Sequence, residues 1–475
     1  MRLHPDMLAR LPAGIARPGY ERAALRTGIV HLGIGAFMRG HLAPATEAAI
    51  AAGDLRWGIA GVSLRSPETR DALAPQQGLY TLALRDAAGQ RLQLIGCVTA
   101  LLVAPEDPAA VLARIAAPDT RIVSLTVTEK GYCHDPASGT LRLDHPDIVH
   151  DLAHPAAPRS APGYLLHGLA LRRAQGGQGL TLLSLDNLPA NGKLLRRALL
   201  DLASAFDPAL ADWIATQCRF PCSMVDRIVP RTTESDRDAV SAALGCRDQW
   251  PVLAEPFFDW AVEDDFATDR PDWSLYGARF VADAEPWEQL KLRMVNGTHS
   301  AIAYLGLLAG WATVDAALAQ APLRRHLQTL MRDEIAPTLP ALDSAAYQAQ
   351  LLQRFANPAL AHRTQQIAMD GSQKIPQRWL GTVRDRLAAG ASIERLALGL
   401  AAWLLYLRGV NERGEPHAVD DPLAATLTRL APAEVLAHAP VFGDLAGQPA
   451  LVQPVLSALD ALRARGVRAM LEALP

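Results

Sequence analysis

The sequence predicts an α/β protein, with an N-terminal parallel-sheet domain followed by a mostly α-helical C-terminal domain. Three observations carry this. Short runs rich in Val, Ile and Leu alternate with helical segments through the first half. Those runs lack the apolar/polar alternation of a half-exposed strand, which suits a sheet covered on both faces. From about Pro286 onward the pattern changes to long Ala- and Leu-rich segments at helical spacing. A chain of 475 residues exceeds what one core usually organises, and the division is placed at 1–285 and 286–475.

In order, the expected strands are Thr27 to Leu32, Trp57 to Leu64, Arg121 to Thr128 and Gly179 to Leu185. The proline- and acid-containing stretch from Glu255 to Pro286 reads as the join. Beyond it, Ser392 to Arg408 and Leu451 to Leu474 read as long helices. No internal repeat or low-complexity tract stands out.

Composition narrows the function. A net charge of -3 with no basic run argues against nucleic acid as the main partner, because phosphate binding needs clustered positive charge. Small neutral or acidic substrates stay open. Five cysteines form neither an even disulfide framework nor a CxxC pair, which points to a reducing cytoplasm. Cys218 and Cys222 sit four apart, but no His pair at zinc spacing accompanies them, so no metal is expected. The N-terminus lacks the apolar core of a signal peptide. The uncharged run Gly297 to Val314 is just long enough to cross a bilayer, yet it holds Thr298, His299, Ser300 and three glycines. A buried core helix is the expectation.

The first strand runs into Gly33-Ile-Gly35-Ala-Phe-Met38. Two glycines one residue apart let backbone approach a pyrophosphate at a helix N-terminus; the third small residue of that pattern would fall at Met38, so the match is partial. Simple packing is the alternative reading. An NAD site also expects an acid near the end of the second strand, where this chain has Ser63-Leu64-Arg65. Arg65 suits a 2'-phosphate or a stacked adenine, which keeps NADP open.

Only four of the 46 basic residues are lysine: Lys130, Lys193, Lys291 and Lys374. An ammonium can lose its proton when buried, whereas a guanidinium cannot, so a retained lysine hints at proton chemistry. Lys291 opens KLRMVNGTHS, and Asn296 and His299 follow it. On an α-helix, at 100° per residue, Asn296 falls about 140° and His299 about 80° from Lys291, and Lys291 and His299 are ~12 Å apart along the axis. The alternative is structural: Asn capping, His satisfied in the core and Lys snorkelling. Asparagine is also scarce, with five in the chain. Asn187 follows the Gly179–Leu185 strand at its carboxyl end, where ligands of parallel sheets gather. Asn191 and Gly192 read as turn formers.

Together, IVHLGIGAF, VSLTVTEKGYC, LDNLPANG, FPCSMVDRIVP, KLRMVNGTHS and AMDGSQKIPQR resemble the polyol-specific long-chain dehydrogenases, the family of mannitol 2-dehydrogenase and fructuronate reductase (mannonate oxidoreductase). The resemblance runs from about Gly28 to the C-terminus. It implies a Rossmann-type first domain and an NAD-dependent, metal-independent enzyme, with NADP possible. By that resemblance Lys291 is the general base, Asn187 and Asn296 hold the reacting oxygen, and His299 orients substrate. Gly33, Gly35, Ala36, Phe37, Arg65 and Glu129 belong to the cofactor side, and Asp226 and Lys374 line the substrate pocket. TEKGYC, KLRMVNG and AMDGSQK look more like the uronate and aldonate enzymes, so D-mannonate/D-fructuronate is the expected pair. D-Mannitol/D-fructose is the alternative, and a nucleotide-binding sensor is the non-enzyme reading. A monomer suffices for such a site; a higher oligomer stays open. The chain departs from the family pattern at Met38 and Gly40, at Leu185 where cysteine is common, and at Phe258 where arginine is common.

A lysine base needs its pKa brought from ~10.4 to roughly 7 or 8, a differential of about 4 kcal/mol. Two amide donors on the oxygen would contribute about 3 kcal/mol each, as in comparable oxyanion sites. Glu129, beside Lys130, suits either a proton relay or a plain ion pair.

Overall fold

In the computed structural model, which describes residues 1–135, 138–339, 344–358 and 362–474, the chain divides into two compact units, Met1–Glu285 and Pro286–Pro475. The first is built on a five-stranded sheet. Its strands lie in the order Val98–Val103, Gly58–Ser63, Thr27–Leu32, Ile122–Leu125, Thr181–Ser184, and every pairing is parallel. Numbered along the chain this is 3-2-1-4-5, the doubly wound order in which ligands sit at the carboxyl ends where the winding reverses. That reversal lies between Thr27–Leu32 and Ile122–Leu125.

The absence of alternation has its cause in the packing. Val30, Leu32, Val123 and Leu182 enter one core, with Leu165, Leu169 and Leu199 from the helices Ala161–Ala174 and Asn191–Phe206. Their neighbours Ile29, Ile59, Ile122 and Leu183 enter a second core on the other face, with Leu42, Trp57 and Trp260. Both faces are dry, so most positions are apolar on both sides.

The Val98–Val103 strand was not among the expected ones. It is an edge strand with partly exposed residues between its ends, so it lacks the dense apolar run of the interior strands. Two small sheets complete the unit: the hairpin Tyr80–Asp86/Gly89–Ile95 with Val252–Ala254, and Ser223–Asp226 with Asp259–Glu263 and Arg279–Val281. The expectation that Glu255 to Pro286 forms a join is thereby corrected. That stretch supplies two strands and an aromatic cluster in which Trp260 and Trp273 lie 4.6 Å apart, and both are fully buried. Pro256, Pro271 and the acids Asp264, Asp265, Asp269, Asp272 and Asp283 sit outside the strands, while Asp259 and Glu263 end one of them.

The second unit is helical. Gly297–Leu308 and Glu394–Tyr406 are buried almost all round, as the uncharged composition of the first requires. Among the described residues no helix is long and apolar enough to cross a membrane. The C-terminal helix, Pro449–Ala473, breaks at Gly466 (φ 77°, ψ 165°). Among the described residues three turns are wound as π-helix: Lys291–Asn296, Leu330–Ile335 and Pro376–Leu380. Such turns are rare and recur at functional sites.

Candidate active site

In the first unit the site begins with backbone. Gly33 has φ 97°, and a Cβ there would lie 2.2 Å from the Thr126 carbonyl oxygen; only glycine fits where the turn crosses the neighbouring strand's end. The turn is held by a chain of hydrogen bonds. Thr126 Oγ1 donates to the Gly33 carbonyl at 2.8 Å, so it accepts from His31 Nε2 at 2.9 Å, and His31 Nδ1 then accepts from Ser124 Oγ at 2.8 Å. The imidazole is sealed in the sheet, and that burial pushes its pKa down to about 3, so it stays the neutral tautomer this chain needs.

Beside the turn opens a cavity of about 390 Å³ lined by Gly33 to Gly35, Ser63 to Ser66, Thr126 to Thr128 and Lys130. It lies at the carboxyl ends of three adjacent strands at the winding reversal, where a dinucleotide fits. Arg65 is exposed and lines it. Ala36, Phe37 and Glu129 stand outside that lining. Phe37 stacks on His41 at 4.9 Å, and Glu129 is exposed on the 3-10 turn Glu129–Tyr132. Met38 is wholly buried and fills the core, while a Cβ on Gly40 would press on Val229 at 3.0 Å. These two departures are therefore packing choices.

Asn187 is exposed in the loop after the Thr181–Ser184 strand. Its neighbour Asp186, unremarked in the sequence, ties that loop to the cavity. The buried carboxylate accepts from Val127 N at 3.0 Å, Thr128 N at 2.9 Å and the Tyr132 hydroxyl at 2.8 Å. Burial raises its pKa, and these donors oppose the rise. Asn191 is not a turn former. It opens the helix Asn191–Phe206, is buried, and its amide nitrogen donates to the carbonyls of Asp186 at 3.0 Å and Ser223 at 2.8 Å, while its oxygen accepts from Ser223 N at 2.9 Å. It thus anchors the loop carrying Asn187 to the strand that ends in the buried Asp226. Gly192 is required by contact: a Cβ would meet the Phe220 carbonyl oxygen at 2.4 Å. Leu185 is buried core. Phe258 lies 4.5 Å from the His41 ring and 4.9 Å from Tyr276, with the Arg227 guanidinium 5.6 Å from its ring.

In the second unit Lys291 is only 8% exposed. The expected α-helical frame is corrected here. Lys291–Asn296 is a π turn, in which the Gly297 N–H reaches back five residues to the Leu292 carbonyl. With i→i+5 bonding the fifth residue returns over the first, so Lys291 and Asn296 come closer to one face than the 140° of an α-helix allows. A second π turn clasps the first: Trp379 Nε1 donates to the Gly297 carbonyl at 2.9 Å, and Arg378 Nη1 to Ser300 Oγ at 2.8 Å and the Asn296 carbonyl at 3.4 Å.

His299 follows on the α-helical turn. Its ring stacks on Phe355 at 4.8 Å and meets His362 edge-on at 4.9 Å. Its Nε2 is sealed from solvent with no hydrogen-bond partner among the described residues. Burial first, then the charges of His362, Arg378, Arg354 and Lys374, hold its pKa well below the usual value, so it is neutral at working pH. Lys374 donates to the Met369 carbonyl at 2.7 Å and lies 3.7 Å from Asp370; burial and Arg378 lower its pKa. Among the described residues no cluster of His, Cys, Asp and Glu could hold a metal, and the five cysteines are free and buried.

Both units match known proteins nearly throughout. The mannitol dehydrogenase Rossmann domain matches residues 27–275, and the mannitol dehydrogenase C-terminal domain matches 283–463. The chain is 46% identical over 423 residues to D-mannonate oxidoreductase of Escherichia coli (strain K12), covering 88% of this chain and 87% of that one. It is 38% identical over 482 residues to mannitol 2-dehydrogenase of Phaeosphaeria nodorum, covering 99% and 85%. The solved ternary complex of Pseudomonas fluorescens mannitol 2-dehydrogenase with NAD and D-mannitol superposes with a TM-score of 0.85 at 37% identity, covering 99% of each chain. The chain belongs to the mannitol dehydrogenase family.

Proposed function

We propose that this chain is an NAD-dependent dehydrogenase interconverting D-mannonate and D-fructuronate, with residues 1–285 as the dinucleotide-binding domain and 286–475 as the substrate and catalytic domain. The observation that carries the reading is the buried Lys291 on a π turn shared with Asn296, together with 46% identity to a D-mannonate oxidoreductase. The glycine turn and the cavity beside it would hold NAD, which would supply the hydride acceptor. Lys291, as its neutral amine, takes the proton of the substrate hydroxyl, a task open to a lysine and closed to an arginine. The side-chain amides of Asn187 and Asn296 donate to the same oxygen as negative charge builds. Neutral His299 orients the substrate, and Asp226 and Lys374 bind hydroxyl groups. No step assigns work to a metal. Arg65 at the cavity rim leaves room for NADP, with NAD preferred. The free, buried thiols fit a reducing cytoplasm.

D-Mannitol oxidation is the second reading, supported by the likeness to mannitol 2-dehydrogenases over nearly the whole chain. NADH absorbance measured with D-mannonate, D-altronate, D-mannitol and D-arabinitol separates them. The highest kcat/KM is expected with D-mannonate; a preference for mannitol replaces the first reading with the second. No absorbance change with any of them would favour a nucleotide-binding sensor.

A further inference from the structure

Arg378 ends the motif AMDGSQKIPQR, and nothing above gives it a part in the reaction. Its Nη1 is committed to Ser300 Oγ and the Asn296 carbonyl, which fixes the guanidinium against the turn that carries Asn296 and His299. Its other edge, Nε with Nη2, makes no hydrogen bond or ion pair among the described residues, and neither atom is among those sealed from solvent without a partner. The nearby acid, Asp370, lies against Lys374 instead.

Elsewhere in the molecule that same edge grips carboxylates two-pronged. Arg270 holds Asp264 through Nε at 2.7 Å and Nη2 at 2.9 Å. Arg332 holds Asp333 at 2.6 and 2.7 Å, and Arg56 holds Asp54 at 2.8 and 2.7 Å. The fork matches a carboxylate in geometry as well as charge, and a lysine in its place supplies only a point charge.

We propose that Arg378 is the specificity-determining residue that reads the substrate's carboxylate, its Nε/Nη2 edge taking the two oxygens of a sugar acid. This rests on the sugar-acid reading above and deepens it. It also replaces the cation expected at position 258: Phe258 is packed among aromatic rings, and charge recognition falls to Arg378.

D-Mannonate and D-mannitol differ at the terminus remote from the reacting carbinol, carboxylate against hydroxymethyl, so they form the test pair. In the full-length enzyme with NAD, Arg378→Leu should lower kcat/KM for D-mannonate by about 100-fold, the range for removing one partner of a desolvated charge pair. The value for D-mannitol should fall far less, by about 10-fold at most, the share owed to the two hydrogen bonds that hold the turn, so the preference for mannonate over mannitol drops at least about 10-fold. Arg378→Lys should recover part of the mannonate loss, mainly in KM, and it serves as the decisive variant if the leucine protein does not fold. An equal fall for both substrates, or an unchanged mannonate value, overturns the assignment while leaving the sugar-acid reading intact. A wild-type enzyme that oxidises mannitol and not mannonate overturns both.

Discussion

The two units offer the proposed chemistry different materials. In the first, the decisive features are backbone: a left-handed glycine, a carbonyl 2.2 Å from where its Cβ would be, and strand ends meeting at a winding reversal. In the second, they are side chains displayed on π turns and locked by Trp379 and Arg378. Backbone sites bind what every dinucleotide shares, while side-chain sites decide protonation and substrate. Damage to the two should therefore have separable signatures.

The largest effect is expected at the side-chain half. Lys291→Ala should lower kcat by about 10³-fold or more, within the range for a general base, and leave NAD affinity nearly unchanged. Lys291→Arg should be almost as inactive, because a guanidinium keeps the charge and cannot act as base. Stopped-flow turnover beside NAD titration checks this, and comparable activity in either variant would end the base assignment. The mirror experiment is Gly33→Ala. A methyl forced onto the Thr126 carbonyl at positive φ should raise KM for NAD by at least about 10-fold, since strain of this kind costs on the order of 1–3 kcal/mol, while kcat at saturating NAD changes little.

Legibility in the sequence follows the same division. The glycine turn, four of the five strands of the main sheet and the helical second half were readable, because a dry sheet demands apolar runs and a crossing backbone demands glycine. The edge strand Val98–Val103 was not, since partial exposure thins its pattern. In the second unit the residue types of the candidate site were legible from rarity and resemblance, yet their geometry was not. KLRMVN carries no mark of a π turn; its winding is set by Trp379 and Arg378, some 80 residues away in sequence. Asp186 and His31 went unnoticed for a related reason: a polar residue inside an apolar strand-loop segment reads as incidental until its two or three partners are seen.

Acid should separate the units next. In the second, His299, His326, His362 and His417 have lowered pKa values from burial, His326 down to about 3, and Glu334 is raised. In the first, His31 and His167 are lowered while Glu47, Asp186 and Asp248 are raised. A histidine lowered on folding binds its proton only when unfolded, so it destabilises as pH falls below its unfolded value, by about 1.4 kcal/mol per pH unit. A raised acid does the opposite, stabilising as pH falls toward its unfolded value. Between about pH 6.5 and 4.5 the second unit should therefore lose stability faster than the first. Calorimetry with limited proteolysis across that range checks the order, and earlier cleavage within 1–285 would contradict it.

The smallest effect probes whether the π turn matters to catalysis beyond its residues. Trp379→Phe removes the hydrogen bond to the Gly297 carbonyl and part of a ring packed under Gly399, while leaving Lys291, Asn296 and His299 in place. A lost hydrogen bond of this kind is worth about 1 kcal/mol net, so melting should shift modestly. If the wide turn positions Lys291, the same change loosens the base, and kcat should fall roughly 5-fold, the rate equivalent of about 1 kcal/mol. KM for NAD should hold, because the cradle in the first unit is built without any atom of Trp379. A fall in melting temperature with unchanged kcat would mean the π turn is only a way of packing the helix, and the contrast between a backbone-built half and a winding-built half would reduce to one of residue identity.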